Sequence, residues 1–123
     1  MFQGLRTVIY PAPRLAEVKA WYTQVLGQPP YFDEPYYVGF SVGGFELGLD
    51  PDAAPATSPA GPLTYWGVPD AQAAFERLIS LGAQVHQAVQ EVGEGIRVAT
   101  VLDPFGNVLG IIENPHFKFQ PVS

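Results

Sequence analysis

The feature that most constrains this chain is an internal echo. Gly44-Phe-Glu-Leu-Gly-Leu49 and Gly106-Asn-Val-Leu-Gly-Ile111 superpose at a constant offset of 62, which pairs Leu47 with Leu109, Gly48 with Gly110 and Leu49 with Ile111. The pairs Leu26-Gly27 and Leu81-Gly82 stand at matching places as helix ends. In 123 residues, two copies of such a unit fill the chain and make one domain.

The unit can be read element by element. From Arg14 to Leu26, apolar residues at Leu15, Val18, Tyr22, Val25 and Leu26 follow the spacing of one helical face. Pro11 and Pro13 precede this helix, Gly27 stops it, and Pro29-Pro30 forbid its continuation. Ala71 to Leu81 repeats the template, with Asp70 placed to cap the first turn and Gly82 to end the last. Leu5–Tyr10 and Leu63–Val68 read as strands leading into the helices. Tyr36–Val42 and Phe45–Leu49 flank the hairpin pair Gly43-Gly44. Gly95–Leu102 and Asn107–Ile112 flank the turn Asp103-Pro104-Phe105-Gly106. A short strand is expected over Ala83–Val89, and Tyr31–Pro35 reads equally as loop or strand.

The fold class is therefore α+β, with two βαβββ modules of curved mixed sheets in a single domain spanning residues 1–123. Module one covers about 1–50, a proline-stiffened linker 51–62, and module two about 63–123. One unit covers only one face of its sheet with its helix, so the two are expected to curl together around a cavity.

Composition narrows the function. Twelve acidic against six basic residues give a net charge of −6, which disfavours nucleic acid and anionic membrane surfaces as partners. The chain has no cysteine, so thiolate metal sites and cysteine nucleophiles are excluded. No run approaches the roughly 20 apolar residues of a membrane helix. The N-terminus lacks a signal-peptide pattern, and a cytoplasmic location is expected. No Ser-His-Asp or Cys-His set can be assembled, and Gly93-Glu94-Gly95 is a turn rather than a phosphate cradle.

The pattern resembles the vicinal oxygen chelate superfamily, which contains glyoxalase I, bleomycin-resistance proteins, fosfomycin-resistance enzymes and extradiol dioxygenases. A strand, then Leu15…Trp21-Tyr22…Val25-Leu26-Gly27, then Val42-Gly43-Gly44 and a strand is similar to its first module. Val68…Ala74-Phe75…Leu81-Gly82-Ala83 followed by Asp103-Pro104-Phe105-Gly106-Asn107 is similar to its second. The resemblance covers nearly the whole chain and implies the fold more strongly than any activity. It also implies a homodimer.

Enzymes of that superfamily usually hold a divalent metal on His and Glu side chains. The resemblance carries the four ligand positions onto Thr7, Gly48, Leu63 and Gly110, none of which supplies an imidazole or carboxylate. No metal and no other cofactor is expected. His86 and His116 read as surface or capping residues, outside both inner faces.

If Gly48 and Gly110 face the cavity, strand alternation adds Glu46, Val108 and Ile112 to that face and places Phe45, Leu47, Leu49, Leu109 and Ile111 under the helices. Thr7, Ile9, Leu63 and Tyr65 point inward from the first strands. The expected ligand site is thus Thr7, Ile9, Gly48, Leu63, Tyr65, Arg97, Val108 and Gly110, with Glu46 as the candidate catalytic residue. Glu46 is either a solvated carboxylate or, with its pKa raised by apolar walls, a general base or cation anchor. Arg97 either pairs with Glu91 or Glu94, or grips an anionic ligand. The aromatics from Tyr31 to Phe40 read as core and dimer contact before a stacking platform. Two readings follow: a metal-free binder of a small apolar or aromatic molecule, or a metal-independent isomerase or lyase in which Glu46 is the base and Tyr65 or Arg97 stabilises an enolate.

Overall fold

The structure, a computed structural model, describes residues 1–54 and 63–118. Of the linker expected over 51–62, residues 55–62 lie outside the described residues. The chain forms two compact units, Met1–Gly61 and Pro62–Ser123.

In the first unit the order is β1 (Thr7–Pro11), α1 (Leu15–Leu26), β2 (Phe32–Glu34), β3 (Tyr37–Val42) and β4 (Phe45–Asp50). The sheet order is β1-β4-β3-β2, with β1 parallel to β4 and the other pairs antiparallel. The segment left open between loop and strand is the short edge strand β2. Gly27 ends α1 in the left-handed region at φ 69°, and its N–H returns to the Thr23 carbonyl at 2.9 Å. Alternation buries Leu47 and Leu49 as the sequence implies, whereas Phe45, expected with them, is only half-buried and borders an open depression. Val38, Phe40, Leu47 and Leu49 are buried together with Val18, Trp21 and Tyr22 of α1. Tyr10 stacks on Tyr22 at 6.0 Å between ring centroids, and Trp21 meets Tyr22 edge-on. Each such side chain contributes roughly 1.5–3 kcal/mol by leaving water.

The second unit repeats the plan: β5 (Tyr65–Gly67), α2 (Ala71–Ser80), β6 (Gln84–Gly93), β7 (Ile96–Leu102) and β8 (Val108–Glu113), in sheet order β5-β8-β7-β6. Asp70 caps α2 by accepting from the Ala73 N–H at 3.0 Å. Glu113 reaches the same helix start, accepting from the Ala71 N–H at 2.8 Å. Several boundaries differ from expectation by a residue or two, and in this unit two of the differences matter. β5 begins at Tyr65, so Leu63 precedes the ladder, and β6 runs on to Gly93 because it pairs irregularly with β7 along its length. Both units are α+β βαβββ modules, each with a four-stranded mixed sheet.

The turn between β7 and β8 is built around Asp103. Its Oδ1 accepts from the N–H groups of Phe105 and Asn107 at 2.9 and 2.8 Å, and its Oδ2 from the Asn107 amide at 3.0 Å. This buried carboxylate satisfies the backbone of the turn that returns the chain into β8.

Candidate functional site

The open face of the first sheet follows from the Gly43-Gly44 hairpin. Its two-residue turn sets Ser41 opposite Glu46 and Gly39 opposite Gly48, and β1 adds Thr7 beside Glu46 and Ile9 beside Gly48. Tyr37, Gly39 and Ser41 alternate onto the same side. Two adjacent glycines thus form a floor without side chains, and tyrosines lie over it. A β-carbon at Gly39 would stand 2.8 Å from Glu46 Oε2 and 3.3 Å from Tyr31 Cε1. The glycine is what lets the carboxylate and the phenol meet there.

Glu46 is the centre of this face. Its Oε1 accepts from Thr7 Oγ1 and from the Tyr37 hydroxyl, each at 2.7 Å, while its Oε2 accepts from the Tyr31 hydroxyl. Burial pushes the carboxyl pKa upward, but the hydrogen bonds from Tyr31, Tyr37 and Thr7 outweigh it and hold the pKa below its ordinary value. The sequence-based expectation of a raised pKa is corrected here. The walls that matter are hydroxyl donors rather than apolar surface, and donors favour the charged form. The phenols shift the other way. Tyr31 is raised chiefly by its hydrogen bond to Glu46, and Tyr37 first by burial and then by the same partner. Around this cluster lies an open depression of about 600 Å³, lined by Arg6, Thr7, Tyr31, Ser41, Gly44, Phe45 and Glu46. The Arg6 guanidinium is turned toward Gln3 and the Leu5 carbonyl.

Tyr31 and Tyr37 were the residues that the aromatic content of their segment concealed. The signal lay in the alternation Tyr37-x-Gly39-x-Ser41 read against the glycine hairpin, which puts Tyr37 on the face of Glu46.

In the second unit, Tyr65 pairs with Gly110 and Thr100 with Gly110, so these share the face of Val108. Leu63, Tyr65 and Val108 are exposed. Two expectations change. Arg97 stands opposite Glu113 and Glu91 in the strand register and alternates onto the side of Ala99 and Val101, away from Gly110 and Val108. His86, expected as a surface or capping residue, is the extra residue where β6 slips between Val85 and Gln87, and its Nδ1 lies 2.8 Å from Oγ1 of Thr100, which pairs with Gly110. His116 lies near the chain end, with Nε2 2.9 Å from the Glu94 carbonyl oxygen.

The metal that the resemblance implies does not fit these residues. Thr7 is spent on Glu46, and the space a side chain at Gly48 would need is taken by the Tyr37 phenol. A β-carbon at Gly110 would lie 2.9 Å from Tyr65 Cδ1, and Leu63 has no donor atom. Among the described residues, no three His, Asp or Glu side chains are grouped to hold an ion.

A pair of βαβββ modules, each with a glycine inside its last strand, defines a class of protein, and comparison gives its family. The Glyoxalase family, the Glyoxalase/Bleomycin resistance protein/Dioxygenase superfamily, matches residues 4–111. The chain belongs to that superfamily. A glyoxalase-related enzyme from Fulvimarina pelagi is similar in structure at TM-score 0.76 and 20% identity, over 97% of this chain and 94% of that one. Lactoylglutathione lyase from Agrobacterium tumefaciens is similar at 0.73 and 20% identity, over 98% and 100%. A glyoxalase/bleomycin resistance protein/dioxygenase family enzyme from Burkholderia phytofirmans PsJN is similar at 0.65 and 23% identity, over 87% and 94%. At these identities the likeness is one of fold. No curated protein matches the chain. No helix among the described residues is long and apolar enough to cross a membrane.

Proposed function

We propose that the chain is a small-molecule-binding member of the superfamily that works without a metal, and that it takes its ligand on the open face of the first sheet. The observation that supports this reading is the Glu46 carboxylate fixed by Thr7, Tyr31 and Tyr37 beside an open depression. A site of that size with a few convergent polar groups is the usual form of a small-ligand pocket. The same geometry speaks for binding over proton abstraction. A general base gains from a pKa near the working pH, whereas three donors make Glu46 a weaker base. Phe45 and the ring of Tyr31, which line the depression, supply apolar area for an apolar or aromatic ligand body.

We further propose that the chain pairs with itself in the cytoplasm through the exposed aromatics Phe32 and Tyr36, which contact each other edge-on at 6.1 Å. Light scattering is expected to return twice the chain mass, and Tyr36→Ser to return the chain mass.

The binding reading is tested by thermal shift across a panel of small organic molecules, with and without chelator. A true ligand raises the melting temperature equally in both. Ligands that stabilise only when a divalent metal is added would overturn it.

A further inference from the structure

We infer that the depression around Glu46 selects an organic ammonium: a protonated amine carried on an apolar or aromatic body. The inference rests on the binding reading above and names the chemistry of its ligand. It follows from counting donors and acceptors. Thr7, Tyr31 and Tyr37 each own one hydroxyl hydrogen, and all three point at Glu46. None remains for an anionic ligand. Arg6, on the rim, is turned to the oxygens of Gln3 and Leu5, and Ser41 adds only a neutral hydroxyl.

The acceptor side is the reverse. A carboxylate offers about four lone-pair positions. Two bonds fall on Oε1 and one on Oε2, which leaves one position on Oε2 of a residue that lines the depression. Glu46 therefore presents a fixed negative charge with a single open acceptor position. A ligand N⁺–H completes it with a charge-assisted bond, about twice as strong as a neutral one. The exposed ring of Tyr31 offers an aromatic face beside the charge. A carboxylate or phosphate would find no donor on the Glu46 cluster itself and would be left with the Ser41 hydroxyl and the remaining N–H groups of Arg6. The net charge of −6 acts in the same direction, drawing cations and repelling anions.

The test uses the intact chain and three probes of one shape, benzylamine, benzyl alcohol and benzoate, titrated by amide NMR at neutral pH. Benzylamine is expected to perturb Thr7, Tyr31 and Glu46 and to bind at least about tenfold more tightly than benzyl alcohol, a difference of about 1.4 kcal/mol. Benzoate is expected to leave those residues unmoved. Glu46→Gln should reduce the amine-to-alcohol ratio to near one. Raising salt from about 0.01 M to about 1 M should weaken the amine several-fold and not the alcohol, a readout that needs no variant. A smaller ratio in the native chain, tighter benzoate, or a ratio unchanged by salt overturns the ammonium inference and leaves the binding reading in place. No perturbation of these residues by any of the three probes overturns both.

Discussion

The phenol of Tyr37 occupies the space that a side chain at position 48 would fill. A β-carbon on Gly48 would lie 2.6 Å from Tyr37 Cζ and 3.1 Å from Cε1. The glycine and the tyrosine are complementary: one gives up its side chain, and the other uses the room to reach Glu46. Gly48→Ala is therefore an overpacking change. It is expected to cost about 1–3 kcal/mol, because the clash involves ring atoms as well as the hydroxyl, and Tyr37→Phe in the same chain should not recover it. Urea unfolding of the two variants measures both. A Gly48→Ala chain as stable as the native one would mean that Tyr37 can leave its place freely.

The Glu46 cluster makes stability depend on pH at two ends. The Glu46 pKa is held below 4.5, so its contribution is fully present above that value and is lost as pH falls through the lowered pKa. Tyr31 and Tyr37 are raised above 10.0, so their neutral forms contribute fully below that value and the contribution is lost as pH rises through the raised pKa. The stability difference between the native chain and Glu46→Gln should be flat between these limits and shrink beyond each. Unfolding midpoints across the pH range measure it, and a difference that grew toward acid pH would contradict the bonding around Glu46.

The sequence carried the modules more completely than the site. The echo of Leu47-Gly48-Leu49 in Leu109-Gly110-Ile111 and the two helix periods locate both units, because burial of one face imposes a period that is visible in a single chain. Strand parity likewise placed Glu46 on the face of Gly48. It could not give the charge state of Glu46, since that depends on hydroxyls from β1, from β3 and from the segment before β2. The side of Arg97 is set by its alternation with Ala99 and Val101, whereas its acidic neighbours Glu91 and Glu94 in the sequence carry no information about which face of β7 it takes. His86 was misplaced because a bulge in β6 has no signature in a run such as Gln84-Val85-His86-Gln87.

The four positions onto which the resemblance carries metal ligands hold Thr7, Gly48, Leu63 and Gly110, and the rings of Tyr37 and Tyr65 stand where side chains on the two glycines would go. Protein purified without chelator is expected to contain well under one divalent ion per chain. Elemental analysis measures this directly, and a stoichiometric ion would locate a donor set elsewhere in the chain.

Asp103 closes the β7–β8 turn by accepting three hydrogen bonds while buried. Asp103→Ala leaves the N–H groups of Phe105 and Asn107 without their acceptor and is expected to cost about 2–4 kcal/mol, more than a neutral hydrogen bond, because the acceptor is charged. Asp103→Asn keeps one acceptor oxygen and should lose less. Equal losses in the two variants, read from denaturant midpoints, would assign the cost to packing in place of the hydrogen bonds.

His86 and Thr100 form a pair whose two members differ sharply in exposure. Thr100 is 1% exposed, and its hydroxyl lies 2.8 Å from Nδ1 of the exposed His86 ring. The asymmetry fixes the consequence of removing each. His86→Ala strips a buried hydroxyl of its partner and is expected to cost about 1–3 kcal/mol. Thr100→Val replaces the hydroxyl with a methyl of similar shape, leaving His86 free to bond water, and should cost less. In the double variant no buried polar group is stranded, so the two losses should not add, and the coupling should be of the order of 1 kcal/mol. A double-mutant cycle by urea unfolding measures it. Additive losses would mean that the bulge in β6 positions His86 without any energetic bond to Thr100.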